Sequence, residues 1–217
     1  MPDVLAENLI FQLRNEPANA IIANNYFLET VDLPHERIIN YGVFNITGRL
    51  ARVNDFPIVH LDATVNDIGS PIYYFPYIQQ NAGNVSIPNI NIPEGTIVAT
   101  GGMNGCALEV RYYNNAYYFY HDANGVNMPP MRDGEVQLCR ITSTDYWNED
   151  AAMLAVQNQS IPIVQFVCIY RHKRWHIGAF GLCIRGNDFQ RKTIVGTFMP
   201  NRGNYRGCFN DQRGNVI

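Results

Sequence analysis

The sequence predicts an α+β fold, mainly an antiparallel β sandwich or curved mixed sheet flanked by a few helices. Three observations predict it. The first thirty residues space their apolar side chains as a helix does. From about residue 38 onward, short runs rich in Ile, Val, Tyr and Phe alternate with Asn, Gly and Pro. Only one later stretch returns to a helical pattern.

The elements follow in order. "DVLAENLIFQL" sets Val4, Leu5, Leu9, Ile10 and Leu13 at three-to-four spacing behind Asp3, an N-cap candidate. Pro17 opens a second helical segment, "PANAIIANNYFL". Strands are expected near 39–45, 49–53, 57–64, 71–78, 96–100, 106–113, 116–121, 135–142, 162–170, 174–184 and 193–198. Residues 81–95, "NAGNVSIPNINIPEG", read as a Pro- and Asn-rich surface loop. "LEVRYYNNAYYFYHD" reads as a hairpin closed by Asn114-Asn115, because Asn tolerates the positive φ of a tight turn. "IVQFVCIYRHKRWHIGAFGLCI" is a second hairpin with a charged turn. "NEDAAMLAVQNQ" is a helix whose acidic first turn suits the macrodipole. No repeat or composition shift divides the chain, so one catalytic domain over 1–217 is expected, with the 1–30 helical segment packed on it.

Composition narrows the function. A chain of 217 residues can bury a full core without disulfides. The net charge is −3 and the 16 Lys and Arg are dispersed, which argues against nucleic acid as a partner. "MPDVLAENLIF" has no basic stretch before its apolar residues, so no signal peptide is expected, and no apolar run nears the ~20 residues of a membrane span. The five cysteines, at 106, 139, 168, 183 and 208, are odd in number and form no CxxC pair. That suggests neither a disulfide framework nor a zinc site, and a reducing compartment. His172 and His176 straddle a turn, which predicts a solvated turn and a surface histidine instead of a metal pair. His35 and His60 stand alone. No metal or organic cofactor is expected.

The chemistry concentrates in "TGGMNGCALEV", where Gly101, Gly102 and Gly105 precede Cys106. Counting outward from the Asn114-Asn115 turn puts Cys106 opposite about residue 123, a diagonal neighbour of His121. An imidazole there can take the thiol proton and make a nucleophile. A loop with few Cβ atoms can turn the backbone N–H groups around Gly102, Asn104 and Gly105 toward a developing oxyanion. The competing reading is a packed thiol, since free Cys is among the most buried residue types. Packing is the expectation for Cys139, Cys168 and Cys183. Cys208 reads as a bystander with no base near it in sequence.

Thr100, "MNGC" and "FYHD" resemble the catalytic core of the cytotoxic necrotizing factor and Burkholderia lethal factor family of bacterial glutamine deamidase toxins. The fifteen-residue spacing from Cys106 to His121 is similar to that of the necrotizing factors. Thr100 stands six residues before Cys106, as a site threonine does in the lethal factor, whose Leu-Ser-Gly-Cys is replaced here by Met103-Asn104-Gly105-Cys106. The resemblance implies a β sandwich with surrounding helices, a catalytic set of Cys106, His121 and Thr100, and a host protein substrate, either a Rho-family GTPase or a translation-initiation helicase. It also implies a backbone carbonyl orienting the histidine, to which the sequence assigns no residue. The expected protein is a monomeric toxin or effector, held in the bacterial cytoplasm before delivery and then secreted or injected into the host cytosol. Its expected activity is hydrolysis of a glutamine side-chain amide through a thioester. The alternatives are a papain-like cysteine protease, disfavoured by the short spacing, and a non-catalytic β-sandwich binding or structural module. The 13 Tyr and 11 Phe would suit such a module.

Overall fold

A computed structural model describes residues 4–30, 44–53, 56–65, 72–75, 77–185 and 193–210. The fold is α+β, as the sequence predicts. Helices α1 (Val4–Asn15) and α2 (Pro17–Ala23) come first, then β1 (Asn25–Thr30), β2 (Phe44–Val53), β3 (Phe56–Val65) and β4 (Ile72–Phe75). Next come β5 (Ala82–Pro88), β6 (Ile97–Thr100), β7 (Ala107–Tyr113), β8 (Ala116–Asp122) and β9 (Val136–Ile141). The chain continues through α3 (Ser143–Tyr146), α4 (Glu149–Asn158), β10 (Ile161–Arg171), β11 (Arg174–Arg185), β12 (Thr193–Phe198) and β13 (Tyr205–Phe209).

These strands make three sheets. One is mixed, ordered β12-β11-β10-β6-β4, with β13 also paired to β11; a second is antiparallel, ordered β5-β8-β7-β9; a small third is ordered β1-β3-β2. The first two share an apolar core in which Leu108, Val110 and Phe119 of the antiparallel sheet meet Val164, Phe166 and Ile177 of the mixed one. Phe119 packs edge-on against Trp175 at 4.9 Å. On the other face of the mixed sheet, Ile10 and Leu13 of α1 and Ile21 of α2 pack with Val167, Ile169 and Phe180.

Both hairpin turns form as read. Asn114 and Asn115 have φ of 47° and 58°, and His172 and Lys173 have φ of 52° and 60°. Two successive positive φ values make the two-residue turn whose twist matches that of the strands. Tyr113 therefore pairs with Ala116, and the ladder runs down to Leu108 opposite His121 and Ala107 opposite Asp122.

Four expectations are corrected. The second helical segment stops at Ala23, and the chain turns extended from Asn25 to pair in parallel with β3; a short apolar run such as "NYFL" fits either state by periodicity alone. The expected loop at 81–95 contains β5, an edge strand that pairs with the histidine strand through Gly83 opposite His121. The strands expected at 39–45 and 49–53 are one continuous strand over Phe44–Val53, residues 39–43 lying outside the described part. The tail strand β13 was not expected at all. Asp3 and His35 also lie outside the described residues.

A chain of ion pairs, its carboxylates buried and its Arg132 end exposed, fixes the outer side of the antiparallel sheet. Asp122 pairs with Arg140 at 3.0 Å, and Arg140 also pairs with Glu109. Glu109 binds Arg111 at 2.5 Å, Arg111 reaches Glu135 at 3.3 Å, and Glu135 binds Arg132 at 2.7 Å. Arg132 in turn stacks over both Tyr113 and Tyr118 at 4.3 Å. Burial pushes the Glu135 carboxyl up, but hydrogen bonds from Arg132 outweigh it and hold the group below its usual range. Arg140 also donates to the Gly125 carbonyl at 2.7 Å, tying the connection after β8 to the sheet.

Candidate active site

The site forms where the two sheets meet. Thr100 closes β6, whose parallel neighbour β4 brings Phe75 beside it. His121 is the penultimate residue of β8 and faces inward with Phe119, while Cys106 lies one residue before β7, in the same core as Leu108. Sandwich packing thus joins Thr100 to His121: Oγ1 lies 2.8 Å from Nδ1. The same hydroxyl donates to the Phe75 carbonyl at 2.6 Å.

That pair of contacts assigns the tautomer. A hydroxyl has one proton, and a carbonyl can only accept, so the Thr100 proton goes to Phe75 and its oxygen accepts from Nδ1–H of His121. The imidazole then presents a bare lone pair at Nε2. This atom is buried and has no hydrogen-bond partner among the described residues. Burial also lowers the His121 pKa to about 3, so the ring is neutral at ordinary pH. Tyr77 lies edge-on to the ring with centroids 5.4 Å apart.

The glycine loop is held against β10. Met103 forms a two-way bridge with Val164, its N–H donating at 2.7 Å and its carbonyl accepting at 2.9 Å. A Cβ on Gly102 would sit 2.3 Å from Cδ1 and 2.9 Å from Cβ of Ile163, so the loop approaches β10 as closely as it does only without a side chain there. Gly105 has φ of +84°, a left-handed conformation that suits glycine. Asn104 and Gly105 are exposed, and no backbone carbonyl among the described residues accepts from the N–H of Asn104, Gly105 or Cys106.

Cys106 itself is 5% exposed, and Thr100 and His121 are fully buried. The structure therefore brings Thr100 to His121 and puts Cys106 on the same inner face. It does not join the thiol to the imidazole by a hydrogen bond, since Nε2 has none. A resting thiolate–imidazolium pair is also disfavoured, because burial penalises the charged ring.

Three contributors escaped the sequence reading. The Phe75 carbonyl lies 25 residues before Thr100 in sequence and is reached only through parallel pairing. Tyr146 of α3, fully buried, donates its hydroxyl to the Cys106 carbonyl at 2.9 Å. Burial raises the Tyr146 pKa above the normal phenol range, so this group stays a donor. Gln165 of β10 donates to the Thr100 carbonyl at 3.0 Å, fixing the residue that fixes the histidine.

Elsewhere, a cavity of about 450 Å³ opens beside Asn89, Glu94, Tyr117 and Lys173, near the two hairpin turns and away from the Ala107 end of β7 where Cys106 lies. Among the described residues, no group of three or more His, Cys, Asp or Glu converges as a metal site would require. No helix among them is long and apolar enough to cross a membrane.

The chain matches no protein-family model and no curated protein. Among solved structures it is similar to the C-terminal domain of CNFy from Yersinia pseudotuberculosis, with 10% sequence identity and a TM-score of 0.30. The likeness covers 59% of this chain and 61% of that one.

Proposed function

We propose that the protein is a cysteine-dependent glutamine deamidase acting on a host protein, with Cys106 as nucleophile and His121 as general base and acid. The observation that carries this reading is the asymmetry of His121. Its Nδ1 is tied through Thr100 to the Phe75 carbonyl, while its Nε2 is buried without a partner among the described residues. A purely structural histidine satisfies both nitrogens when buried; one left bare is an exception that asks for a reason, and a poised base supplies it. The spacing of Thr100, Cys106 and His121, similar to that of the glutamine deamidase toxins, supports the same assignment.

The reaction follows from these parts. With the imidazole neutral at rest, proton transfer and attack go together: Nε2 takes the thiol proton as Sγ bonds to the side-chain amide carbon of a glutamine. The oxyanion develops next to the N–H groups of Asn104 and Cys106. The imidazolium gives its proton to the amide nitrogen, the C–N bond breaks and ammonia leaves a thioester. Water, deprotonated by Nε2, then hydrolyses the thioester to glutamate and restores the thiol. Thr100 holds the ring through both halves, and Tyr146 holds the backbone of the nucleophile. Admission of the glutamine requires the site to open, and Tyr77, half exposed and edge-on to His121, is the side chain placed to swing aside.

The test is ammonia release, and the Gln-to-Glu mass shift in host-cell proteins, with wild-type protein and Cys106→Ser. Loss of both signals in the variant supports the reading. Equal signals from the two proteins, or cleaved backbones in place of the mass shift, would remove it.

A further inference from the structure

The cavity of about 450 Å³ between the loop over residues 89–95 and the β10–β11 turn takes no part in the chemistry at Cys106. Its size falls among the roughly 300–1,000 Å³ of small-molecule sites. The loop that walls it is pinned at both ends. The Asn89 N–H donates to the Asn115 carbonyl in the β7–β8 turn at 2.8 Å, and the Asn89 side-chain amide donates to the Tyr112 hydroxyl at 3.3 Å. At the other end the Gly95 N–H donates to the Tyr170 carbonyl at 2.8 Å, and the buried Thr96 hydroxyl turns back to the Pro93 carbonyl at 2.6 Å. Glu94 reaches across to the facing turn, where Oε2 accepts from the His172 N–H at 2.8 Å and pairs with Arg171 at 3.3 Å. A ligand therefore meets a preformed shape and spends little on ordering it.

The lining decides what fits. Tyr117 and Tyr170 are 1% and 9% exposed, so they offer edges to the cavity and no open ring face on which a base could stack. Ile92 is the one aliphatic side chain of the lining, too little for a fatty chain. The remaining side chains are polar: the amides of Asn89 and Asn91, the Glu94 carboxylate and the Lys173 ammonium. Arg171 neutralises Glu94, whereas Lys173 pairs with no carboxylate among the described residues, and its turn neighbours His172 and Arg174 add no negative charge. One uncompensated positive charge thus stands beside two amides and a carboxylate. The ammonium suits an anion, and the amides and carboxylate suit hydroxyl groups, which both donate and accept.

We propose that this cavity is a binding site for an acidic sugar, a uronic acid or a similar carboxylated saccharide. Its carboxylate pairs with Lys173 and its hydroxyl groups bond to Asn89, Asn91 and Glu94. Both halves of the ligand are needed. A bare anion fills only part of the volume and leaves the amides unused, and a neutral sugar leaves the ammonium unpaired. The site stands apart from the deamidase reading, because Cys106 lies beyond the opposite end of β7.

The experiment is an amide NMR titration of the full chain at low salt with D-glucuronate, D-glucose and acetate in parallel. Glucuronate is expected to shift the amides of residues 89–95 and of His172 and Lys173, and to bind about fivefold more tightly than glucose, the most that one exposed ion pair usually adds. Acetate is expected to bind more weakly than glucuronate. Lys173→Asn and Asn91→Gly suit the left-handed backbone at φ of 60° and 53° and so keep the fold. Lys173→Asn is expected to bring glucuronate to the level of glucose, Asn91→Gly to weaken both sugars, and Cys106→Ser to bind glucuronate as wild type does. The proposal is overturned if no probe gives saturating shifts at these amides, if acetate or glucose binds as tightly as glucuronate, or if Lys173→Asn binds glucuronate like wild type.

Discussion

Thr100 Oγ1 stands between two acceptable partners, 2.6 Å from the Phe75 carbonyl and 2.8 Å from His121 Nδ1, and this one hydroxyl decides which imidazole nitrogen is free. Replacing it tests the assignment. Thr100→Val keeps the shape but leaves Nδ1–H and the Phe75 carbonyl unpaired. It should lower kcat by a large part of the roughly 10²–10⁴-fold that a positioned base supplies. Thr100→Ser keeps the hydroxyl and should retain most activity. Steady-state kinetics on a glutamine substrate separates the two, and a similar loss in both would deny the orienting role.

The buried histidine also predicts how stability follows pH. The folded pKa of His121 is about 3, below an unfolded value near 6.5, so between those values the unfolded chain binds the extra proton. Stability from this group is complete above about pH 6.5 and falls as pH drops, by up to about 1.4 kcal/mol per unit. Urea unfolding between pH 7 and 4 should show a shallower slope for His121→Gln than for wild type. An unchanged slope would mean that the ring titrates normally.

Tyr146→Phe removes the donor to the Cys106 carbonyl without opening a cavity. An unsatisfied buried carbonyl costs about 1–3 kcal/mol, so a measurable drop in the unfolding midpoint is expected. A lower kcat at unchanged KM is also expected if the hydroxyl positions the nucleophile. Loss of stability with kcat intact would make Tyr146 structural only.

The charge chain predicts a stability effect far from any chemistry. Glu109 is the shared partner of Arg111 and Arg140, its side chain 2% exposed. Glu109→Gln removes one of two carboxylates from each guanidinium, Glu135 remaining to Arg111 and Asp122 to Arg140, so the cost should fall short of the roughly 3–5 kcal/mol of a buried charge left wholly unpaired but exceed about 1 kcal/mol. Chemical denaturation measures this directly. A change below about 1 kcal/mol would show that the network is solvated and weak, as exposed pairs are.

Gly102→Ala forces a methyl group to within 2.3 Å of Ile163. Overpacking of this kind typically costs about 1–3 kcal/mol. The strain falls on the loop that carries Cys106, so activity should fall further than global stability does. The double change Gly102→Ala with Ile163→Val, which shortens the clashing side chain, should recover part of both. No recovery would place the defect elsewhere.

The sequence by itself determined what short-range geometry can determine. Paired Asn residues set the β7–β8 turn, the turn set the register, and the register put Cys106 diagonal to His121, so the candidate nucleophile and base were legible within 22 residues. The glycines before Cys106 were legible as a loop needing absent side chains. Only the tertiary structure decided the rest, because each missing piece depends on a partner far along the chain. The Phe75 carbonyl reaches Thr100 through a parallel pairing that no local pattern encodes. Tyr146 meets Cys106 across 40 residues. The strand β5 hides in a Pro- and Asn-rich stretch because an edge strand takes its stability from its neighbour more than from propensity. Burial also decided the charge state of His121, since the free energy of charging a ring depends on what surrounds it and not on which residues precede it.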